Sequence, residues 1–457
     1  MAETIKVGLL GCGTVGTGIL RLLSENHDDI VARLGADIEV TSILVRDTGR
    51  ERDPAIPAHL LTTDPEVVLS ADNHIIVEVM GGYEPARTLI LDALSRGRHV
   101  VTANKALLAK HGKELFRAAD THKVDVIFEA SVGGGLPIIR TLREGLAADR
   151  VDSLHAIING TSNYMLTGMN QRGVPYGQVL AEAQQKGYAE ADPTMDVGGS
   201  DAAQKLSILI AVSFGADVDF QQIRTDGITA LAPHDFAFAR QFGYAVKPLA
   251  VARAHPAPTP EASAEPAQDA ALIEARVAPH LVPLDSMLAH VNGVYNAVRV
   301  QSRALGPITI TGQGAGMMPT AAAVVSDIIE LARNIRRGTS GRLPHLAFHR
   351  DLVRHHALQP ADETECPFYL RFTVRDEPGV IAQIASLLGA HHISIRKMVQ
   401  EEIGGVGEAE SGKKRPVPVV ILTHTAREGA IRKAVMAIDL LPFVTQPTLT
   451  LRVEDAV

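Results

Sequence analysis

Short apolar runs alternate with amphipathic stretches through the first 130 residues. "TIKVGLLG" (4–11) has the pattern of a buried strand, "VGTGILRLLSEN" (15–26) that of a helix and "IEVTSILV" (38–45) that of a second strand. "HIIVEVMGG" (74–82), "HVVTANK" (99–105) and "VDVIFEA" (124–130) follow as further strands, spaced to leave room for helices. This rhythm predicts an α/β fold with a doubly wound parallel sheet over 1–136. From about 137 longer helices mix with strands such as "SLHAIING", which predicts a second, α+β domain over 137–311. A helix at about 318–337 follows the glycine-rich "TGQGAGMMP", and the segment 312–345 is expected to complete the first domain. The polar stretch 346–366 reads as a linker. Beyond it, 367–453 read strand, helix, strand, strand, helix, strand, a ferredoxin-like βαββαβ module. "AHPAPTPEASAEPAQD", between 254 and 270, is rich in proline and alanine without apolar periodicity and reads as a mobile surface insertion.

The chain has 457 residues, is 46% hydrophobic and carries a net charge of −8. That is ample for several cores. With no basic runs, nucleic acid is excluded as a partner. No apolar stretch is long enough to span a bilayer, so no membrane is expected either. "MAETIKVGLLGCG" enters a strand directly, without a charged leader or cleavage site, which gives a cytoplasmic expectation. The two cysteines, Cys12 and Cys366, fit buried thiols in a reducing compartment. The histidine pairs at 355–356 and 391–392 lack metal-ligand spacing.

"GLLGCGTVG" places Gly11, Cys12, Gly13, Thr14, Val15 and Gly16 in a G-x-G-x-x-G turn between a strand and a helix. Gly11 permits the tight turn, Gly13 lets backbone approach a pyrophosphate, and Gly16 allows close helix packing. The helix N-terminus supplies positive potential. The pattern is that of the cofactor loop of a Rossmann-type domain, the alternative being a glycine turn needed only for packing. At the end of the second strand an acidic residue would bind the ribose hydroxyls of NAD. Here "LVRDTGR" puts Arg46 in that place, with Arg50 nearby, and a guanidinium suits the 2′-phosphate of NADP. Asp47 next door leaves use of NAD open.

"GYAEADPTMDVGGSDAAQK" (187–205) crowds Glu190, Asp192 and Asp196 into a glycine-flanked loop before a helix bearing Asp201 and Lys205. Asp201 and Lys205 are four apart and share a helix face, where an ordinary surface pair contributes only a few tenths of a kcal/mol, about 0.3–0.5. Asp192 and Asp196 suit capping of helix N-termini or bonding of loop amides. An acidic pocket also suits a substrate ammonium, and a lysine in a dry pocket can exchange a proton with an alcohol or carbonyl.

The pattern A183-x3-G-Y-A-x2-D-P-x2-D-V-x-G-x-D-x3-K205 resembles the signature of the homoserine dehydrogenase family at every fixed position. "VTANKALLA" (101–109), "FEASVGGGLPII" (128–139), "NGTSNYML" (159–166) and "GQGAGMMPTAAAVVSDI" (312–328) are similar to that family's segments, in its order. The C-terminal module resembles an ACT domain. The resemblance implies reversible, NAD(P)-linked interconversion of L-homoserine and L-aspartate 4-semialdehyde, in threonine and methionine biosynthesis. It implies Lys205 as the acid/base. Glu190 and Asp201 would hold the substrate or orient the lysine, and Lys105 would lie on the nicotinamide side. Gly187, Gly314 and Gly316 would line the cofactor. It further implies a monovalent cation site for Na+ at the backbone oxygens of Glu129, Val132, Gly134 and Leu136, a turn that could equally be tight for packing alone. The second domain would serve catalysis and dimerisation in a homodimer or homotetramer. L-threonine is the effector expected at the ACT turn "RDEPGV". Another amino-acid oxidoreductase of the same cofactor fold, or an amino-acid sensor with a relic first domain, are the rival readings.

Overall fold

The computed structural model describes residues 4–70, 72–255, 272–401, 416–455 and 457. The chain folds into two compact units: 1–153, 201–222 and 294–356 form the first, and 154–200, 223–293 and 357–457 the second.

In the first unit six parallel strands, β1 (Thr4–Leu10), β2 (Asp37–Leu44), β3 (Leu61–Thr62), β4 (Ile75–Glu78), β5 (His99–Thr102) and β6 (Val126–Ile127), lie in the order β3-β2-β1-β4-β5-β6. β1, β4 and β5 are almost entirely buried, as expected for strands covered by helices on both faces. The order reverses between β1 and β4, so the carboxyl ends of these strands splay to open a crevice. The helix Met317–Arg337 packs on the helix Thr14–Glu25, burying Val324, Ile328 and Leu331 in one core with Ile19 and Leu20. Gly18 permits this contact, since a Cβ there would lie 2.9 Å from the Met317 carbonyl oxygen.

The second unit is built on the antiparallel hairpin Tyr244–His255 and Leu272–Pro283. Residues 256–270 of the expected proline-alanine insertion lie outside the described residues, and strand structure extends to His255. The C-terminal strands Val444–Val453, Phe368–Val374, Val417–Thr423 and Ile395–Gln400 pair antiparallel in that order. With the helices Val380–Ala390 and Glu428–Asp439 they make the expected βαββαβ module.

The module is not a bead on a linker. Residues 346–356 pack into the first unit, and 357–366 run directly into the second. Phe368, Leu370 and Phe372 face the module's own helices, whereas Tyr369, Val420, Leu422 and Leu451 share a core with Met165, Leu166, Phe236 and Phe238. Buried Asp235 accepts from the Tyr369 hydroxyl at 2.8 Å and from Arg371 Nε at 2.7 Å. Strand Val444–Val453 also pairs parallel with the hairpin, placing His280 opposite Arg452 and Leu281 opposite Val453. The Arg276 and Arg253 guanidiniums both reach the carboxylate of Glu454, which is 2% exposed. A buried ion pair is costly to break from one side, because the surviving charge is left without compensation.

Candidate active site

The cofactor turn follows from its glycines. Gly11 has φ +100°, and a Cβ there would come within 2.9 Å of the Met80 side chain. At Gly16 a Cβ would lie 2.9 Å from the Gly11 carbonyl oxygen. Around Gly13 there is open space, so nothing in the chain itself demands a glycine there. Gly13 caps the helix Thr14–Glu25 without a side-chain hydrogen bond, and Thr17 Oγ1 donates to the Gly13 carbonyl at 2.9 Å. Burial pushes the Cys12 thiol up, against the opposing pull of Arg52.

The opposite wall is set by Glu78, at the end of β4 and fully buried. Its carboxylate accepts from the backbone N–H groups of Met80 at 2.8 Å and Gly81 at 3.0 Å, and from Thr102 Oγ1 at 2.6 Å. After β5, Asn104 caps the helix Lys105–His122 by accepting from Leu107 N and donates to the Gly82 carbonyl at 2.7 Å. The two strand ends are thereby tied together, and Lys105 is presented as the first helical residue.

Between these walls lies a cleft of about 300 Å³. Val15, Met80, Lys105, Ser131, Gly134, Lys205, Gly314 and Thr320 are among its lining residues. The helix Ser200–Phe214 brings Lys205 to it, with Asp201 one turn earlier on the same face. Lys205 Nζ stands 2.7 Å from Asp201 Oδ2, and Lys105 Nζ 3.1 Å from Asp201 Oδ1. One carboxylate, 10% exposed, thus bridges two lysines.

The turn 128–136 forms the far side. Gly133 and Gly134 have φ of +70° and +56°, and a Cβ on Gly134 would lie 2.5 Å from the Gly314 carbonyl oxygen. A Cβ on Gly314 would collide with the Asn296 side chain, so both positions require glycine for close approach. Gly316, at φ +115°, turns the chain into the helix Met317–Arg337. The Glu129 carboxylate accepts from the backbone N–H groups of Ile139 and Arg140 at 2.7 and 2.8 Å. Burial pushes it up to about 6.

Arg46 is exposed just past β2, and Asp47 is used locally, accepting from Gly49 N at 2.8 Å. Gly187 (φ +72°) and exposed Glu190 belong to the second unit. There Asp192 accepts from Thr194 N at 3.1 Å, a bond to a nearby backbone amide rather than a helix cap, since the N-cap of the helix Thr194–Val197 is Pro193, without a side-chain hydrogen bond. Three residues escaped the sequence reading. Arg52 donates to the Cys12 carbonyl at 3.3 Å, Glu78 holds the Met80–Gly81 turn, and Asn296 packs under Gly314. Only Glu78 carried a signal, an acid inside an otherwise apolar strand.

A 3-2-1-4-5-6 parallel sheet with a glycine turn at its switch point and lysines in the adjoining cleft defines a nicotinamide-dependent oxidoreductase. Residues 137–329 match the family profile described as homoserine dehydrogenase, 11–129 its NAD-binding domain, and 368–439 the ACT domain. The homoserine dehydrogenase of Pseudomonas aeruginosa is 41% identical over 99% of both chains. The crystal structure of a homoserine dehydrogenase from Thiobacillus denitrificans covers 100% of both chains at TM-score 0.88 and 41% identity. A hyperthermophilic archaeal homoserine dehydrogenase in complex with NADPH covers 72% of this chain and 98% of its own, at TM-score 0.58 and 26% identity. The chain belongs to the homoserine dehydrogenase family.

Proposed function

We propose that Lys205 is the proton donor and acceptor in the interconversion of L-homoserine and L-aspartate 4-semialdehyde. The observation that carries this is the Lys105–Asp201–Lys205 bridge, placed in the same cleft as Val15 of the cofactor turn. When bound, the nicotinamide supplies or accepts the hydride at the carbonyl carbon. Lys205 Nζ gives its proton to the aldehyde oxygen in reduction and takes it back in oxidation. Asp201 fixes the direction of that ammonium, and Lys105 lies beside it at the wall formed by Asn104. Glu190 keeps the role its signature implies, meeting the substrate ammonium, and Gly187 that of a cofactor neighbour. Following nicotinamide absorbance with L-homoserine and either cofactor tests the activity.

The open space at Gly13 and the uncapped helix behind it suit a pyrophosphate. Arg46 favours NADP, and the archaeal relative bound to NADPH supports the same choice. A monovalent cation, Na+, suits the carbonyls of Glu129, Val132, Gly134 and Leu136, because a left-handed glycine turn frees backbone oxygens for a hard ion. The ACT turn ends at Gly379, φ +91°, which caps the helix Val380–Ala390. L-threonine is the effector proposed there, with Asp376 or Glu377 near its ammonium. The enzyme is proposed to be a cytoplasmic homodimer or homotetramer.

A further inference from the structure

We propose that Asn159 is a positioning residue, which through Asp196 holds the loop 187–196 in its substrate-binding shape. The proposal rests on the reading of Glu190 as a substrate ligand. Within the second unit, four side chains of "NGTSNY" touch that loop. Asn159 Nδ2 donates to Asp196 Oδ1 at 2.7 Å, and Ser162 Oγ to the Asp196 carbonyl at 3.0 Å. Thr161 Oγ1 donates to the Tyr188 carbonyl at 2.6 Å, and the Tyr164 and Tyr188 rings stand 5.0 Å apart. The loop therefore hangs on the first turn of the helix Gly160–Arg172 at both of its ends.

That turn is itself a fixed frame. Asn159 Oδ1 caps the helix by accepting from Ser162 N at 2.8 Å. Asn163, fully buried, donates to the Val291 and Gly293 carbonyls at 3.2 and 3.0 Å, and Gly293 N donates to Thr167 Oγ1 at 3.0 Å. From the helix Tyr176–Gln185 that precedes the loop, Gln184 Nε2 donates to the Glu190 carbonyl at 3.1 Å. Glu190 thus has a placed backbone and an exposed side chain. A ligand residue on a placed backbone binds without first ordering its loop, which is how preorganisation raises affinity. The bond to Asp196 is charge-assisted, the stronger kind.

The test is steady-state kinetics of the full chain. Asn159→Ala should raise KM for L-homoserine by about tenfold, with kcat much less affected. Asp196→Ala removes the same bond from the loop side, leaves the helix cap in place and should do the same. A double variant combining Asn159→Asp with Asp196→Asn exchanges acceptor and donor. The carboxylate introduced by the first change can still cap Ser162 N, and the amide introduced by the second can donate back to it. Recovery of KM in this swap supports the latch. A folded swap with no recovery, or an unchanged KM in both alanine variants, overturns it. Glu190→Gln is measured alongside. If it leaves KM unchanged while the alanine variants raise it, the latch stands and the role of Glu190 falls. If Glu190→Gln alone raises KM, the latch falls and the role of Glu190 stands.

Discussion

Asp201 holds Lys205 at 2.7 Å across one helical turn, and its second oxygen holds Lys105 at 3.1 Å. The carboxylate thereby fixes two cations in one cleft, and their separate duties are open to substitution. Lys205→Ala should lower kcat by about 10²–10⁴-fold, the usual contribution of a positioned acid/base. Binding of the cofactor should change little. Near-normal turnover in a folded variant would remove Lys205 from the chemistry.

Gly13→Ala separates folding from binding. The residue sits at φ −89° with open space beyond it, so the methyl group meets no protein atom. Thermal unfolding should be unchanged, whereas the cofactor Kd should rise, because the pyrophosphate needs that space. Gly314→Ala behaves otherwise, since its methyl would strike Asn296. A fall in Tm for Gly314→Ala, with none for Gly13→Ala, is the expected contrast.

Arg46→Asp should weaken NADP and leave NAD unaffected or improved, because the carboxylate repels a 2′-phosphate and bonds a ribose hydroxyl. Competitive titration of both cofactors reads this directly. Equal losses for the two would assign the preference to another residue, and Arg52, bonded to the Cys12 carbonyl, is the next to examine.

Lys247 is buried in the hairpin and donates to the Val291 carbonyl at 2.6 Å and to Asn292 Oδ1 at 2.9 Å. Desolvation pulls its ammonium down from 10.5 to about 8. The folded state thus loses this proton earlier than the unfolded chain does. Between pH 8 and 10.5 the unfolded chain binds more protons, so this residue adds stability as pH rises through that window. Below pH 8 the cation is buried at a cost. Lys247→Met should flatten the rise, measured by denaturant unfolding at several pH values, and should not destabilise the protein at about pH 7. An unaltered pH profile would contradict the assignment.

The C-terminal module gives a prediction that reverses a simple modular expectation. Truncation at about residue 360 removes Tyr369, Val420, Leu422 and Leu451 from the core they share with Phe236 and Phe238. It also strips Glu454 from Arg276, and Tyr369 and Arg371 from Asp235. The shortened chain should lose activity through unfolding of the second unit. Threonine sensitivity is therefore better tested in the full chain, by substituting Asp376 or Glu377 and reading inhibition. A stable, active truncation would show that the shared core is dispensable.

The apolar rhythm of the first 130 residues carried the parallel sheet, because its buried strands have no polar face to blur the period. The Asp201–Lys205 pair was legible from its helical spacing. The third member, Lys105, was legible only as a residue type after a strand, since nothing local records a contact made between distant helices. "FYLRFTV" was legible as a strand and no further. The burial of Tyr369 and Arg371 was not legible there, because Asp235, which pairs with both, lies 134 and 136 residues away in sequence. Arg52 and Asn296 gave no sign, as each acts through a backbone that packing alone brings near.

Strand Val444–Val453 is hydrogen-bonded on one side to the hairpin and on the other to Phe368–Val374, so it is the stave that closes the second unit's sheet. During synthesis the hairpin and the helices Gly160–Arg172 and Pro233–Gln241 must wait for it with one apolar face uncovered. Chains halted before residue 444 should therefore be cut readily by protease within the second unit, and chains extended past 455 should resist. Assembly of this half of the enzyme is timed by the emergence of that strand from the ribosome.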